Sequence, residues 1–284
     1  MLSDTHCHLN LSDYSNDLDE VISRAQENGV SRILVPGIDI ESSIMAIKLS
    51  EKYPLIYAAV GVHPNEALKW ESSSVNEIRS MLSHSKVVAL GEIGLDFYRN
   101  YCPVPIQMAV LNKQLKLTME ANKPVIIHCR NASNQLLPIM LSWHLELING
   151  FSPLCTRPGV FHFFEGTMEQ AKQLVESNFK IGISGPVTFK NANQLHRLVR
   201  GLRPQHLLLE TDSPYLSPHP HRGKRNEPSF LEFIAVKVAE LQQLSIEEIY
   251  KITTTSADPV SYTHLRAHET PEHLVCRLLL EKKK

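Results

Sequence analysis

Met1-Leu2-Ser3-Asp4-Thr5-His6-Cys7-His8-Leu9 is a short, strand-like segment that runs into Asp-x-His-x-His. In an extended strand, side chains two residues apart point to the same face. His6 and His8 therefore project together, with Asp4 behind them. Two imidazoles at that spacing can chelate one divalent cation, each ring nitrogen about 2.0–2.1 Å from it. Taken alone, the same residues fit a strand that carries two polar side chains. The meaning depends on what stands at equivalent places further along.

The pattern of a short apolar run followed by a longer amphipathic one recurs down the chain. Strands are expected at Leu2–His6, Arg32–Pro36, Ile56–Val62, Val87–Glu92, Pro124–His128, Val160–Phe163, Phe179–Ser184 and His206–Thr211. Helical patterns fall at Asp17–Asn28, Ile40–Lys52, Ser73–Ser83, Val104–Asn122, Ala132–Asn149, Met168–Ser177, Ala192–Gly201, Pro228–Leu241 and Ser245–Thr255. Gly29 reads as a helix C-cap, and Ser245 with Glu248 as a capping box. Eight strands, each followed by a helix, point to a (β/α)8 TIM barrel, which needs about 250 residues. The alternative is a doubly wound open sheet. It normally carries a GxGxxG turn after an early strand, and the sequence has none.

In such a barrel the functional groups gather at the carboxyl ends of the strands. The first strand ends in His6 and His8, the third in His63, the fourth in Glu92 with Asp96 beyond it. The fifth ends in His128, the sixth in His162, and the eighth in Glu210-Thr211-Asp212. Burying so many ionisable groups at one rim without a cation would be costly. Imidazoles with carboxylates suit Zn2+ or Mn2+ better than Ca2+, and Mg2+ remains open as the working ion. Six donors exceed one tetrahedral catalytic zinc and fit two divalent cations about 3.5–4 Å apart with a bridging carboxylate. Glu92 is the natural bridge, with His6, His8 and Asp212 on one ion and His128 and His162 on the other.

Composition narrows the function classes. The 284 residues are 43% hydrophobic and 21% charged, with a net charge of -1. That balance has no basic face large enough to grip long duplex by charge alone. Nucleic acid would instead be held locally, at an end or as a single strand. The five scattered cysteines contain no CxxC pair and read as reduced thiols. With no leader-like segment and no apolar run of about 18 residues, the expectation is a cytoplasmic chain with no membrane span. Nothing in the sequence marks an obligate protein partner.

Asp4-x-His6-x-His8, Gly61-x-His63-Pro64, Gly91-Glu92-Ile93-Gly94-Leu95-Asp96, Ile126-Ile127-His128, Glu210-Thr211-Asp212-Ser213-Pro214 and Arg222-Gly223-x-x-Asn226-Glu227-Pro228 closely resemble the TatD family of metal-dependent deoxyribonucleases, within the amidohydrolase-type barrels. The resemblance covers residues 1–257. It implies a TIM barrel, divalent metals and hydrolysis of DNA, including 3′-to-5′ exonuclease action. It also makes His6, His8, Glu92, His128, His162 and Asp212 the metal ligands. One departure is local: where the family pattern has Cys-Phe-Ser-Gly after the sixth-strand histidine, this chain reads Phe163-Phe164-Glu165-Gly166. The preceding segment, Asn149–Pro158, is longer than the family norm and reads as a surface excursion.

Further roles follow as expectations. Asp212 accepts a proton as general base, and His63 faces the pocket to protonate the leaving oxygen or bind phosphate. Arg130, Arg222 and Lys224 contact the DNA backbone, while Asp4, Asp96 and Glu210 orient imidazoles or loops. Residues 258–284 do not continue the family pattern. They read as an artefactual, loosely packed tail without site residues. Because fold and metals do not dictate substrate, hydrolysis of an amide, lactone or aminoacyl ester stays open, as does a metal-dependent scaffold.

Overall fold

The computed structural model describes residues 1–99 and 101–261. Its strands are β1 (Leu2–Asp4), β2 (Val30–Pro36), β3 (Ile56–Val60), β4 (Val87–Asp96), β5 (Val125–Arg130), β6 (Gly159–Phe161), β7 (Lys180–Ile183) and β8 (Leu207–Leu209). All neighbouring pairs are parallel and follow chain order from β1 to β8. The helices are α1 (Leu18–Glu27), α2 (Ile40–Lys52), α3 (Ser74–Leu82), α4 (Val104–Ala121), α5 (Ser133–Asn149), α6 (Met168–Glu176), α7 (Asn193–Gly201), α8 (Leu231–Gln242) and α9 (Ile246–Ser261). This is the TIM barrel expected from the alternation.

The strands are buried on both faces, so they read as continuous apolar runs. All ten residues of β4 are buried. One face packs on the helices, where Ile33 and Val35 meet Val21, Ile22 and Ala46. The other fills the barrel with Leu34, Tyr57, Val88, Ile126, Val160 and Leu208. Ala257 of α9 joins that inner cluster, and Thr254 Oγ1 donates to the Met1 carbonyl at 3.0 Å. Helix α9 therefore closes the end of the barrel away from the strand carboxyl termini.

The barrel shuts between β8 and the first segment. Thr5 N–H donates to Leu209 O at 3.1 Å, Asp212 N–H to His6 O at 2.8 Å, and His8 N–H to Ser213 O at 2.8 Å. Buried Asp4 adds a side-chain clasp, accepting Thr211 N–H at 2.9 Å and Thr211 Oγ1–H at 2.6 Å. The expected end signals are present: Gly29 follows α1 at φ +77°, and Ser245 and Glu248 cap α9 reciprocally.

Most element bounds shift by a few residues from expectation, and some of these differences bear on the site. The β1 ladder stops at Asp4, where the chain bends at Thr5, so His6 and His8 lie beyond it. The β4 ladder runs on past Glu92 to Asp96. Gly94, at φ +150°, makes that approach possible, since a Cβ there would lie 1.9 Å from the His128 carbonyl oxygen. The excursion at Asn149–Pro158 is only partly superficial. Phe151 is exposed, but Leu154 is fully buried.

Helix α9 also crosses the expected tail boundary, and Asp258 pairs with Arg32. The remainder of the expected tail, residues 262–284, lies outside the described residues. No helix among the described residues is long and apolar enough to cross a membrane.

Candidate metal centre

Glu92 sits at a register shift between β4 and β5, from Leu90 to Ile93. A bulge of this kind re-aims a side chain, and here it turns the Glu92 carboxylate into the mouth. The Glu92 N–H donates to Gly37 O at 2.9 Å. Gly37 follows β2, whose end carries no metal donor, and a Cβ there would come within 2.1 Å of Ser43 Oγ. That strand end supports the site with backbone instead of a side chain. Asp212 adopts φ +54°, an uncommon conformation for a non-glycine residue. Buried Asn226 supports it by donating to the carbonyls of Thr211 at 2.9 Å and Tyr215 at 2.6 Å.

Donors from five strand ends converge. His6 Nε2 lies 3.1 Å from His8 Nε2, 3.4 Å from Glu92 Oε2 and 3.6 Å from Asp212 Oδ1. His8 Nε2 lies 3.6 Å from the same Glu92 oxygen and 3.5 Å from the same Asp212 oxygen. A tetrahedron with corners about 2.1 Å from its centre has edges of about 3.4 Å. Five of these four atoms' six separations thus match one cation cage. Glu92 Oε1 faces a second set. It is 2.6 Å from His128 Nδ1 and 2.7 Å from His162 Nε2, which are 3.2 Å from each other.

Protonation explains why these atoms fit cations. His128 Nε2 lies 3.1 Å from Asp96 Oδ2, which assigns the ring proton to that side. Its Nδ1 lone pair then meets a carboxylate oxygen, an arrangement that needs a proton or a metal ion between them. Burial alone would lower the His128 pKa. Asp96 and Glu92 overcome it and raise the pKa to about 9, so the metal-free ring is an imidazolium. Burial and neighbouring imidazoles lower His6 to about 4 and His63 to about 3. Their lone pairs are therefore available at neutral pH. Burial pushes Glu92 upward, but His162, His63 and His6 hold it well below the usual carboxylate range.

His63 takes a different position. Its Nδ1 accepts the Asn65 N–H at 3.1 Å, so its proton belongs on Nε2, 3.6 Å from Glu92 Oε1. In that tautomer His63 is a donor to the cavity. Glu210 is fully buried and its Oε1 accepts the Phe163 N–H at 2.5 Å. His162 Nδ1 is 3.9 Å away, and burial raises the Glu210 pKa well above the usual range. Asp96 also accepts the N–H groups of Tyr98 and Arg99, at 2.9 and 2.8 Å. Asp4 accepts the His6 N–H at 3.3 Å, so it orients backbone on both sides of the closure.

The cluster opens into a cavity of about 570 Å³ whose wall includes Arg130. The Arg130 guanidinium lies over the Tyr98 ring, 4.2 Å from its centroid. Arg222 and Lys224 are exposed and stand outside this cavity's wall. Arg222 rests on Phe189 at 4.7 Å. Their neighbour Arg225 pairs with Asp17, Nη1 to Oδ1 at 2.8 Å. Sequence reasoning missed Arg99, Tyr101 and Tyr215 in the wall. Tyr215 sits three residues after Asp212, its ring 6.3 Å from His8, and no spacing rule singles it out. Glu165, noted as a departure, does line the mouth.

Comparison with known proteins identifies the family. The model of the TatD related DNase family matches residues 3–260. The metal-dependent hydrolase YabD of Bacillus subtilis (strain 168) is 41% identical over 257 residues, covering 90% of this chain and 97% of that one. The 3'-5' ssDNA/RNA exonuclease TatD of Edwardsiella piscicida is 32% identical over 261 residues, covering 89% and 96%. The crystal structure of YJJV, a TatD homologue from Escherichia coli K12, superposes with a TM-score of 0.84 at 30% identity, covering 92% and 97%. The chain belongs to the TatD-related DNase family of metal-dependent hydrolases.

Proposed function

We propose that the chain hydrolyses phosphodiester bonds at single-stranded DNA ends in the 3′-to-5′ direction, with two divalent cations (Mg2+, Mn2+ or Zn2+). One cation would be held by His6, His8, Asp212 and Glu92, the other by Glu92, His128 and His162. The observation that carries this reading is the division of Glu92. Its Oε2 faces His6 and His8, and its Oε1 faces His128 and His162, as a bridging carboxylate would. Exonuclease-named relatives at 32–36% identity support nucleic acid as the substrate. Arg130, a cation in the cavity wall, favours phosphate over a neutral amide.

Divalent cations held there supply Lewis acidity, acidifying water and neutralising charge on the phosphate. The chain's own residues do the rest. Asp212, its pKa held below the usual carboxylate value despite burial by His8 and His6, accepts the proton of the attacking water. The His63 Nε2–H donates toward the departing oxygen. Arg130 presents a planar fork that matches two phosphate oxygens. Asp96 keeps the His128 proton on Nε2 and turns Nδ1 into the cluster.

The test uses metal-loaded protein with 5′-end-labelled single-stranded DNA, the same DNA with a 3′ phosphorothioate cap, and a panel of amides and esters. Stepwise shortening of the uncapped strand alone is the expected result. Equal cleavage of both strands would replace exonuclease with endonuclease action. Cleavage confined to the amide and ester panel would overturn the phosphodiesterase reading.

A further inference from the structure

Beside the catalytic cavity lies a second one of about 320 Å³. The two share Phe163 and Glu165, so the segment after β6 is the partition between them. That partition is anchored from both sides. Glu210 Oε1 holds the Phe163 N–H at 2.5 Å, with Phe163 at φ +40°. On the far side, Gln194 at the start of α7 donates its Nε2–H to Gly166 O at 3.0 Å. Phe164 is buried and packs edge-to-face on Phe161, with centroids 6.3 Å apart.

The two cavities divide their chemistry. The first holds the imidazoles, the carboxylates and the Arg130 guanidinium. The second has apolar surface from Phe163, Phe164, Pro186 and Leu195, and exposed amides from Asn191 and Asn193. Among the described residues, no lysine, arginine or histidine lines it, and its one ionisable group is Glu165. A phosphate would meet repulsion there and no counter-charge. A planar heteroaromatic ring would meet stacking surface, and amides present both donors and acceptors to its edge.

We propose that this side pocket is a nucleobase subsite. It takes the base of a nucleoside that flanks the scissile phosphate, while the phosphate lies across the partition near Arg130. The proposal rests on the phosphodiesterase reading above.

The experiment compares three single-stranded oligodeoxynucleotides: intact, abasic at the 3′-terminal residue, and abasic at the penultimate one. Each is tested with the metal-loaded wild type and with an Asn191→Ala/Asn193→Ala double variant. Binding is also followed without divalent cations, through 2-aminopurine fluorescence at the same two positions. Removing a stacked base should lower kcat/KM of the wild type roughly five- to a hundredfold at one position. In the double variant that penalty should shrink, because the edge contacts of the amides are lost while the apolar stacking surface remains. 2-Aminopurine at that position should be quenched on binding. Equal rates on all three strands overturn the subsite while leaving the phosphodiesterase reading intact. An abasic penalty of the same size in wild type and variant overturns it too. If no strand is cleaved with Mg2+, Mn2+ or Zn2+, the phosphodiesterase reading fails and the subsite falls with it.

Discussion

His128 and Asp96 face each other across the β4–β5 pair, with His128 Nε2 3.1 Å from Asp96 Oδ2. The contact lies on the edge of the ring away from Glu92, whose Oε1 is 2.6 Å from Nδ1. One carboxylate thus selects the tautomer that the other side of the ring requires. Partners of this kind typically change metal affinity by about 10- to 100-fold. Asp96→Asn should therefore weaken Zn2+ or Mn2+ binding by about that factor in calorimetric titration. Turnover should largely recover at saturating metal. Unchanged affinity would remove Asp96 from this role.

Asp212 combines a left-handed backbone with a carboxylate 3.5 Å from His8 Nε2 and 3.6 Å from His6 Nε2. Asp212→Asn keeps the shape and removes the proton acceptor. Turnover should fall by roughly 10²–10⁴-fold, while the melting temperature followed by circular dichroism stays near the wild-type value. Near-native turnover would sink the assignment of Asp212 as the base.

Arg130 is held ready by the Tyr98 ring beneath it, so little side-chain freedom is lost when it meets an anion. Charge-assisted hydrogen bonds contribute about 1.5–3 kcal/mol. Arg130→Ala should raise KM for single-stranded DNA at least about tenfold, with a smaller effect on kcat. Arg130→Lys should restore only part of it, since an ammonium lacks the planar fork. Steady-state kinetics at fixed ionic strength would separate the two. An unchanged KM in both variants would mean that the guanidinium does not hold phosphate.

Lys123 lies at the opposite end of the barrel, buried, with its Nζ on the Val87 carbonyl. Desolvation lowers its pKa from 10.5 to about 8. The unfolded chain therefore binds more protons than the folded one between these values, and folding stability rises with pH across that window. Below about pH 8 the folded state carries the full cost of a buried ammonium. Lys123→Met removes this dependence. The melting-temperature difference, variant minus wild type, should be larger at pH 7 than at pH 10. A difference that does not change with pH would show that Lys123 keeps an ordinary pKa.

Much of this architecture was legible because a parallel barrel imposes a local code. Each strand is buried on both faces and reads as an apolar run, and polar residues at its carboxyl end stand out against that run. His6, His8, Glu92, His128, His162 and Asp212 were visible for this reason. The substrate side was harder to read. Arg222, Lys224 and Arg225 look alike in sequence, yet Arg225 is neutralised by Asp17 and the other two stand outside the cavity wall. Tyr215, Arg99 and Tyr101 reach the wall through loops, which have no periodicity to read.

By itself, then, the chain's alternation of apolar and amphipathic runs determined a barrel, and its strand ends named the candidate donors. Only tertiary structure decided which Glu92 oxygen faces which imidazoles, which nitrogen of His128 and His63 carries the proton, and where Phe163 divides one cavity from another. The reason is range. Burial and strand periodicity act between near neighbours and leave their mark on consecutive residues. Distances between donors far apart in sequence arise only when the first segment docks against β8 and closes the ring.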